Sequence, residues 1–519
     1  MMKKILLATV VAAGMANGAF GADVADADLA VRNINRAMDL IDACWEKTMT
    51  GGDDNLYMAD TYNTVSGTVG GPSDIWPLTA AVEAHCSLLE ALEMVKEVDA
   101  VLYDRTWDYY SGRLAVLIDN LEYYRGTYRL PSYATSKQWS PYAVPRSNTR
   151  GGANVSGILN VYDDQMWLSR ELIRAWRMTG KDEYLDLATY LADYVIDGWD
   201  CWRDSDGNEY GGITWGPGYN SKHACSNAPI IQPLVWLYDI YKDTGEETEY
   251  YFRDENNSVR HETRLRSELY LEFARKVYDW QKKHLYSSGV YWDMMGADGK
   301  ILVSRGYRQH VDCGAPGGNY YSYNTGTMIS GGAELFRVTG EERFKTDLSA
   351  SSKRSLNVFA RYVRDMGVYD FKTDATATEG FNTWFNDVLM RSFVDAEPYC
   401  DNTSAKNGLK GFQTTLDYAY ENHNRGNMLP IRLIDGWGSD IKTKPFHQFA
   451  FASEYAMLAV RLLRNLQSGG IAGVEADDDA VADDAVYTLD GIRLGRLADV
   501  EPGLSGLYIV GGEKRLFGK

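Results

Sequence analysis

The chain has 519 residues, 45% of them hydrophobic, and a formal net charge of -19, which becomes -21 once the two leader lysines Lys3 and Lys4 are discounted. So acidic a balance argues against nucleic acid and polyanionic glycans as partners and suits a neutral substrate. The seven histidines are scattered, neither CxxC nor HExxH occurs, and the six cysteines (Cys44, Cys86, Cys201, Cys225, Cys313, Cys400) lie far apart. No metal site and no cofactor is therefore expected, and disulfide pairing cannot be chosen from spacing.

In chain order, Lys3 and Lys4 precede the apolar run Ile5 to Ala13 and the small-residue stretch Ala19-Phe20-Gly21, the pattern of a signal peptide over residues 1–22. The expected mature protein is exported, to the periplasm, the cell surface or the medium, without a lipid anchor or a transmembrane segment, and a monomer is expected, although spacing and composition do not fix the oligomeric state. Residues 23–467 read as one even body, large for a single core. Helical periodicity dominates it, and strand-like alternation is nearly absent. Start and stop signals place helices near 28–48, 74–96, 98–120, 163–179, 181–199, 227–243, 262–283, 324–338, 341–364, 381–394, 403–421 and 447–466. Three helix ends repeat a pattern: Gly180, Gly245 and Gly340 each follow a Thr, and acidic residues come next, which predicts a left-handed glycine cap and then a new helix. The unit is a helical hairpin, and six of them describe an all-α fold, an (α/α)6 toroid or barrel with a cleft at one end.

Four longer connections, rich in glycine and aromatic residues, mark the functional end: Thr48 to Pro72, Thr127 to Leu159, Trp199 to Ser226 and Ser287 to Tyr323. Within the third, Asp204-Ser205-Asp206-Gly207-Asn208 reads as a turn, its glycine coming too early for a calcium loop. After Gln467 the composition changes. Residues 468–485 form an acidic linker, and 486–519 a small β module with turns at Asp490-Gly491 and Gly511-Gly512. This tail resembles those of exported Bacteroidetes proteins, some of which act as sorting signals.

The candidate chemistry centres on Tyr162-Asp163-Asp164-Gln165-Met166-Trp167. Both aspartates fall in the first turn of a helix, where the macrodipole favours carboxylates. Glycosidic bond hydrolysis needs two carboxyl groups, one to protonate the leaving oxygen and one to attack or to activate water. Adjacent residues suit the shorter, retaining separation of roughly 5 Å. Fourteen Trp and 36 Tyr, many in the connections, fit the apolar faces of sugar rings.

Tyr162-Asp163-Asp164 with Trp167, then Gly211-Gly212-Ile213-Thr214-Trp215, Ala224-Cys225-Ser226-Asn227-Ala228-Pro229 and Tyr323-Asn324-Thr325-Gly326, in this order from Ile75-Trp76-Pro77 to the last barrel helix, resemble glycoside hydrolase family 76. The resemblance implies an (α/α)6 toroid and a retaining endo-α-1,6-mannanase acting on α-mannan or manno-oligosaccharides. By position, Asp163 would be the nucleophile and Asp164 the general acid/base, with Tyr162, Trp76, Trp215, Asn227, Tyr323 and Asn324 as substrate-binding positions. Gln165 stands where the family commonly has an acidic residue, and Thr383-Trp384-Phe385-Asn386-Asp387 with Arg391 matches its later aromatic segment only loosely. Three alternatives stay open: another (α/α)6 carbohydrate-active enzyme such as a polysaccharide lyase or unsaturated uronyl hydrolase, a transglycosidase of the same family, and a non-catalytic glycan-binding protein.

Overall fold

The structure is a computed structural model describing residues 17–297, 299, 301–375, 383–472, 485–487, 493–497, 506–510 and 513–517. Most of the expected signal peptide and of the acidic linker lies outside these residues. The helices are α1 (Asn17–Thr48), α2 (Ile75–Val95), α3 (Ala100–Asn120), α4 (Tyr162–Thr179), α5 (Asp182–Asp197), α6 (Ile231–Tyr241), α7 (Arg266–His284), α8 (Ser322–Thr339), α9 (Glu342–Phe359), α10 (Trp384–Ala396), α11 (Ser404–His423) and α12 (Pro445–Ala472). Each expected helix is present, and α12 runs on through Gly469 and Gly470, where a linker was expected to begin.

The hairpin logic holds at two of its three sites. Gly180 and Gly340 take the left-handed conformation (φ 68° and 67°), their N–H groups donate to Trp176 and Phe336, and Asp182, Glu183 and Glu342 open the next helices. At the third site Gly245 is also left-handed (φ 72°), but the next element is an antiparallel hairpin, Glu247–Arg253 with Val259–Leu265, and α7 begins only at Arg266. Its turn is built by Asp254, whose carboxylate accepts from the N–H groups of Asn256 and Ser258, with Asn257 at φ 57°. A second hairpin, Ala360–Val363 with Val368–Phe371, occupies the expected end of the helix over 341–364. The Asp204 stretch is a turn, with the Asp204 carboxylate accepting from Asp206 and Asn208 N–H.

By contacts the chain divides into residues 33–458 and a second unit of residues 1–32 and 459–519. In the first, α2, α4, α6, α8 and α10 pack in succession. The Ser87–Ser453 hydrogen bond and the Trp76–Phe446 ring contact bring α12 against α2. These inner helices are backed by α3, α5, α7, α9 and α11, and α1 packs on α11 through Arg36–Asp417 and Asn33–Gln413. This is the (α/α)6 toroid. In the second unit, four short antiparallel strands lie in the order Arg493–Arg496, Ala485–Tyr487, Gly506–Val510, Glu513–Phe517, with buried Val486 opposite buried Val510.

The toroid's axis is filled by charge. Glu83 of α2 pairs with Arg391 of α10 and, at 3.4 Å, with Arg170 of α4; Glu171 pairs with Arg170 and Arg174; and all five side chains are buried. Buried pairs of this kind fix geometry more than they add net stability, since each ion loses its water.

Above this layer the long connections are tied to the inner helices. Gln165 of α4, fully buried, accepts from Tyr142 N–H and donates to Tyr142 and Val161 carbonyls at 2.9 and 3.1 Å. An ionised glutamate could accept but not donate, and it would bury a charge. Gln165→Glu is therefore expected to lower unfolding free energy by roughly 1–3 kcal/mol at neutral pH, measured by denaturant titration. Unchanged stability would show that the amide's donor role is dispensable.

Candidate active site

The head of α4 is fixed by the backbone on either side of it. Val161 is extended at the N-cap, and Tyr162 N–H donates to Trp215 O at 2.8 Å, tying the helix start to the connection between α5 and α6. The first turn then carries Asp163 and Asp164 into a cleft of 730 Å³ at the loop end of the toroid. Asp164 is only 2% exposed. One oxygen of each carboxyl, Asp163 Oδ1 and Asp164 Oδ2, has no hydrogen-bond partner among the described residues.

Burial acts on both acids and sets them apart. It pushes Asp163 up to about 6, while the Cys225 thiol and the first-turn backbone N–H groups favour its ionised form, as does the nearby Trp215 indole N–H, which makes no hydrogen bond of ordinary geometry among the described residues. Asp164 is raised well above the usual carboxylate range, first by burial, then by the charge of Asp163 and then by that of Asp74. Two neighbouring acids cannot both ionise freely, and the larger upward shift falls on Asp164.

Aromatic panels surround the pair. Trp384 meets Trp167 edge to face at 4.8 Å and lies 5.9 Å from Trp76, which packs on Phe446 at 5.0 Å. The Trp384 indole N–H is held by Glu83 Oε2 at 2.7 Å, which links the cleft to the charged layer beneath it. Across the cleft, Trp215 stacks on His223 at 4.7 Å and touches Tyr219 at 4.6 Å. Tyr323 lies 4.1 Å from Phe385.

Of the positions singled out in the sequence, Asp163, Asp164, Trp76, Trp215 and Tyr323 line the cleft together. The other three stand behind its surface. The Tyr162 ring is buried against Tyr194, at 5.0 Å, and Gly198, where a Cβ would come within 2.6 Å of it. Asn227 is fully buried and staples the loop that carries Trp215, accepting from Ile213 N–H and donating to the Ile213 and His223 carbonyls. Asn324 donates to Asp293 Oδ1 at 3.3 Å.

Asp293 is a cleft residue that sequence reasoning missed. Burial pushes it up to about 6, Asn324 pulls it down and Asp374 pushes it up again. Its only sequence signal is the aromatic pair Tyr291-Trp292 before it; a lone aspartate in a glycine-rich connection has no partner to reveal it. Among the described residues no lysine or arginine lines the cleft. Among the same residues no cluster of three or more His, Cys, Asp or Glu side chains could hold a metal ion, and no helix is long and apolar enough to cross a membrane.

The structure is similar to that of a family 76 mannosidase, Bt3792 of Bacteroides thetaiotaomicron, with a TM-score of 0.59 and 19% identity over 83% of this chain and 98% of that one. It is also similar to an inactive variant of an α-1,6-mannanase of Salegentibacter sp. HEL1_6, with two consecutive aspartates replaced, in complex with α-1,6-mannotriose; there the TM-score is 0.52, with 19% identity over 83% and 99% of the two chains. At these identities the likeness establishes the fold. In sequence, 163 residues are 24% identical to the mannan endo-1,6-α-mannosidase DCW1 of Candida glabrata, a match spanning 31% of this chain and 29% of that protein. The sequence profile of glycosyl hydrolase family 76 matches residues 132–252 and 262–457, more than half of the chain, and the chain belongs to that family.

Proposed function

We propose that the protein is an exported retaining glycoside hydrolase that cleaves α-1,6-mannosidic linkages within mannan. The observation that carries the reading is the adjacent acid pair lining the cleft, Asp164 buried and Asp163 half-buried, each carboxyl with one oxygen left unbonded among the described residues and the pair pushed to unequal proton affinities. The similarity to an α-1,6-mannanase seen with mannotriose, in which an inactive form lacks two consecutive aspartates, supports the substrate class and the roles. A cleft whose described lining has three carboxyls and no lysine or arginine speaks against uronic-acid polymers.

In the proposed reaction Asp163, ionised, attacks the anomeric carbon as Asp164 gives its proton to the departing glycosidic oxygen, leaving a mannosyl ester on Asp163. Asp164, now a carboxylate, takes a proton from water; the water oxygen attacks the same carbon, the ester bond breaks, and both acids return to their starting states. Trp76, Trp215 and Tyr323 offer faces for sugar stacking, and Asp293, oriented by Asn324, offers an acceptor for a sugar hydroxyl.

The direct test incubates the protein with debranched α-1,6-mannan and follows reducing ends and product size. Wild type is expected to release short manno-oligosaccharides, Asp163→Asn none, and Asp164→Asn roughly 10²- to 10⁴-fold less. Near-normal release by either variant would remove that residue from the proposed chemistry. Binding without release by wild type would leave a glycan-binding protein, and longer products from labelled acceptors a transglycosidase.

The proton affinities predict a bell-shaped kcat/KM profile. Activity should fall as pH drops through about 6, where Asp163 becomes protonated, and again at higher pH as Asp164 loses its proton. A profile flat from pH 4 to 7 would contradict the assigned states.

The same shifts bear on stability. Both acids hold protons more tightly folded than unfolded, so their contribution is full below the unfolded carboxylate value and is lost as pH rises through the folded one. Asp164→Asn should therefore melt higher than wild type at pH 7–8, by about 1 °C for each kcal/mol relieved in a body of this size, with the gap closing towards pH 4. A variant less stable than wild type at pH 8 would be the opposite result.

A further inference from the structure

Arg308, in the connection between α7 and α8, sits where three of the long connections meet. Its backbone N–H donates to Ser132 O at 2.9 Å, its carbonyl accepts from Trp202 Nε1 at 2.8 Å, and its guanidinium lies 5.0 Å from the centre of the Tyr133 ring. From there Nη1 reaches Thr214 Oγ1 and Gly216 O, both at 3.1 Å, and Nη2 donates to Tyr219 O. The side chain is almost fully buried, and these acceptors are neutral oxygens of one loop rather than a carboxylate. A guanidinium stripped of water in this way is costly, and its planar fork meets three acceptors at once in a manner an ammonium cannot reproduce.

That loop is Thr214-Trp215-Gly216-Pro217-Gly218-Tyr219, whose two aromatics form one wall of the cleft. Its tip rests backbone on backbone: a Cβ at Gly216 would lie 2.3 Å from Asn160 O, and one at Gly218 2.3 Å from the Gly157 carbonyl carbon. Contact through glycine offers no interlocking side chain at these two points. Trp215 is also tied through its backbone to Tyr162 and Ser221, and the Tyr219 hydroxyl to Ile158 O, while the Gly216 and Tyr219 carbonyls of the tip are gripped by Arg308, which does not itself line the cleft.

We propose that Arg308 is a positioning residue that holds Trp215 and Tyr219 as a sugar-stacking wall and so sets substrate affinity without touching substrate. The proposal rests on reading the cleft as a mannan site. It is tested by assaying wild type, Arg308→Lys, Arg308→Met, Trp215→Ala and the Arg308→Lys/Trp215→Ala double variant on α-1,6-mannotetraose, with hydrogen exchange of residues 212–221 measured on the sugar-free proteins. Arg308→Lys should raise KM about tenfold with kcat within about threefold, and should speed exchange at the tip. The double variant should be little worse than the worse single one, because both changes act on the same wall. Arg308→Met should go further in the same direction; should it not fold, Arg308→Lys still decides. Unchanged KM with unchanged exchange in Arg308→Lys overturns the proposal, and so does a loss confined to kcat, which marks only a smaller active fraction. If wild type leaves mannotetraose intact, the mannan reading fails, and tip exchange alone then decides whether Arg308 holds the wall.

Discussion

Two adjacent carboxyls at the start of one helix, Asp164 buried and Asp163 half-buried, are the constraint on which the rest of the cleft depends. Left to themselves they would repel, and the helix would gain by turning one of them to solvent. Both are kept in place by the fixed start of α4, where Tyr162 N–H is held by Trp215 O and Gln165 is held by both backbone groups of Tyr142. The helix N-terminus, the Cys225 thiol and the Trp215 indole favour a negative charge on Asp163. Asp164, in the same first turn, is pushed further up, by burial and then by the charges of Asp163 and Asp74. One geometric decision, where α4 begins, thus places two identical side chains in unlike electrostatic settings.

The polar layer under the cleft works at one remove. Glu83 reaches up to the Trp384 indole and down to Arg391 and Arg170, so the aromatic floor is attached to ion pairs shared by α2, α4 and α10. An apolar plug could fill the same space with at least equal stability. A hydrogen-bonded plug instead specifies one orientation for Trp384, and through its edge-to-face contact, for Trp167 on the helix that carries the acids.

Where sequence and structure part, the cause is local. The hairpin over Glu247–Leu265 hid because its strands are charged and half-exposed, so hydrophobic alternation was weak and the start of α7 could be placed one turn too early. Helix α12 passes Gly469-Gly470 because glycine weakens a helix without forbidding it. At the site, Tyr162 and Asn227 stand beside cleft residues in sequence and yet serve them from behind, one filling the space under Gly198 and the other stapling Ile213. Proximity in a motif does not say which face of the backbone a side chain takes.

The sequence by itself determined the hairpin repeat, the twelve helices, the acidic pair at a helix start and the family resemblance, because periodicity, caps and adjacent charges are short-range and written in neighbouring residues. Only the tertiary structure decided that Asp293 joins the pair, that Asn324 stands behind it, that Trp384 is held by Glu83 and that Arg308 meets the Trp215 loop. Those contacts join residues dozens to hundreds of positions apart. They exist because ring closure brings the loop ends of separate hairpins together, and no local pattern encodes which of them will meet.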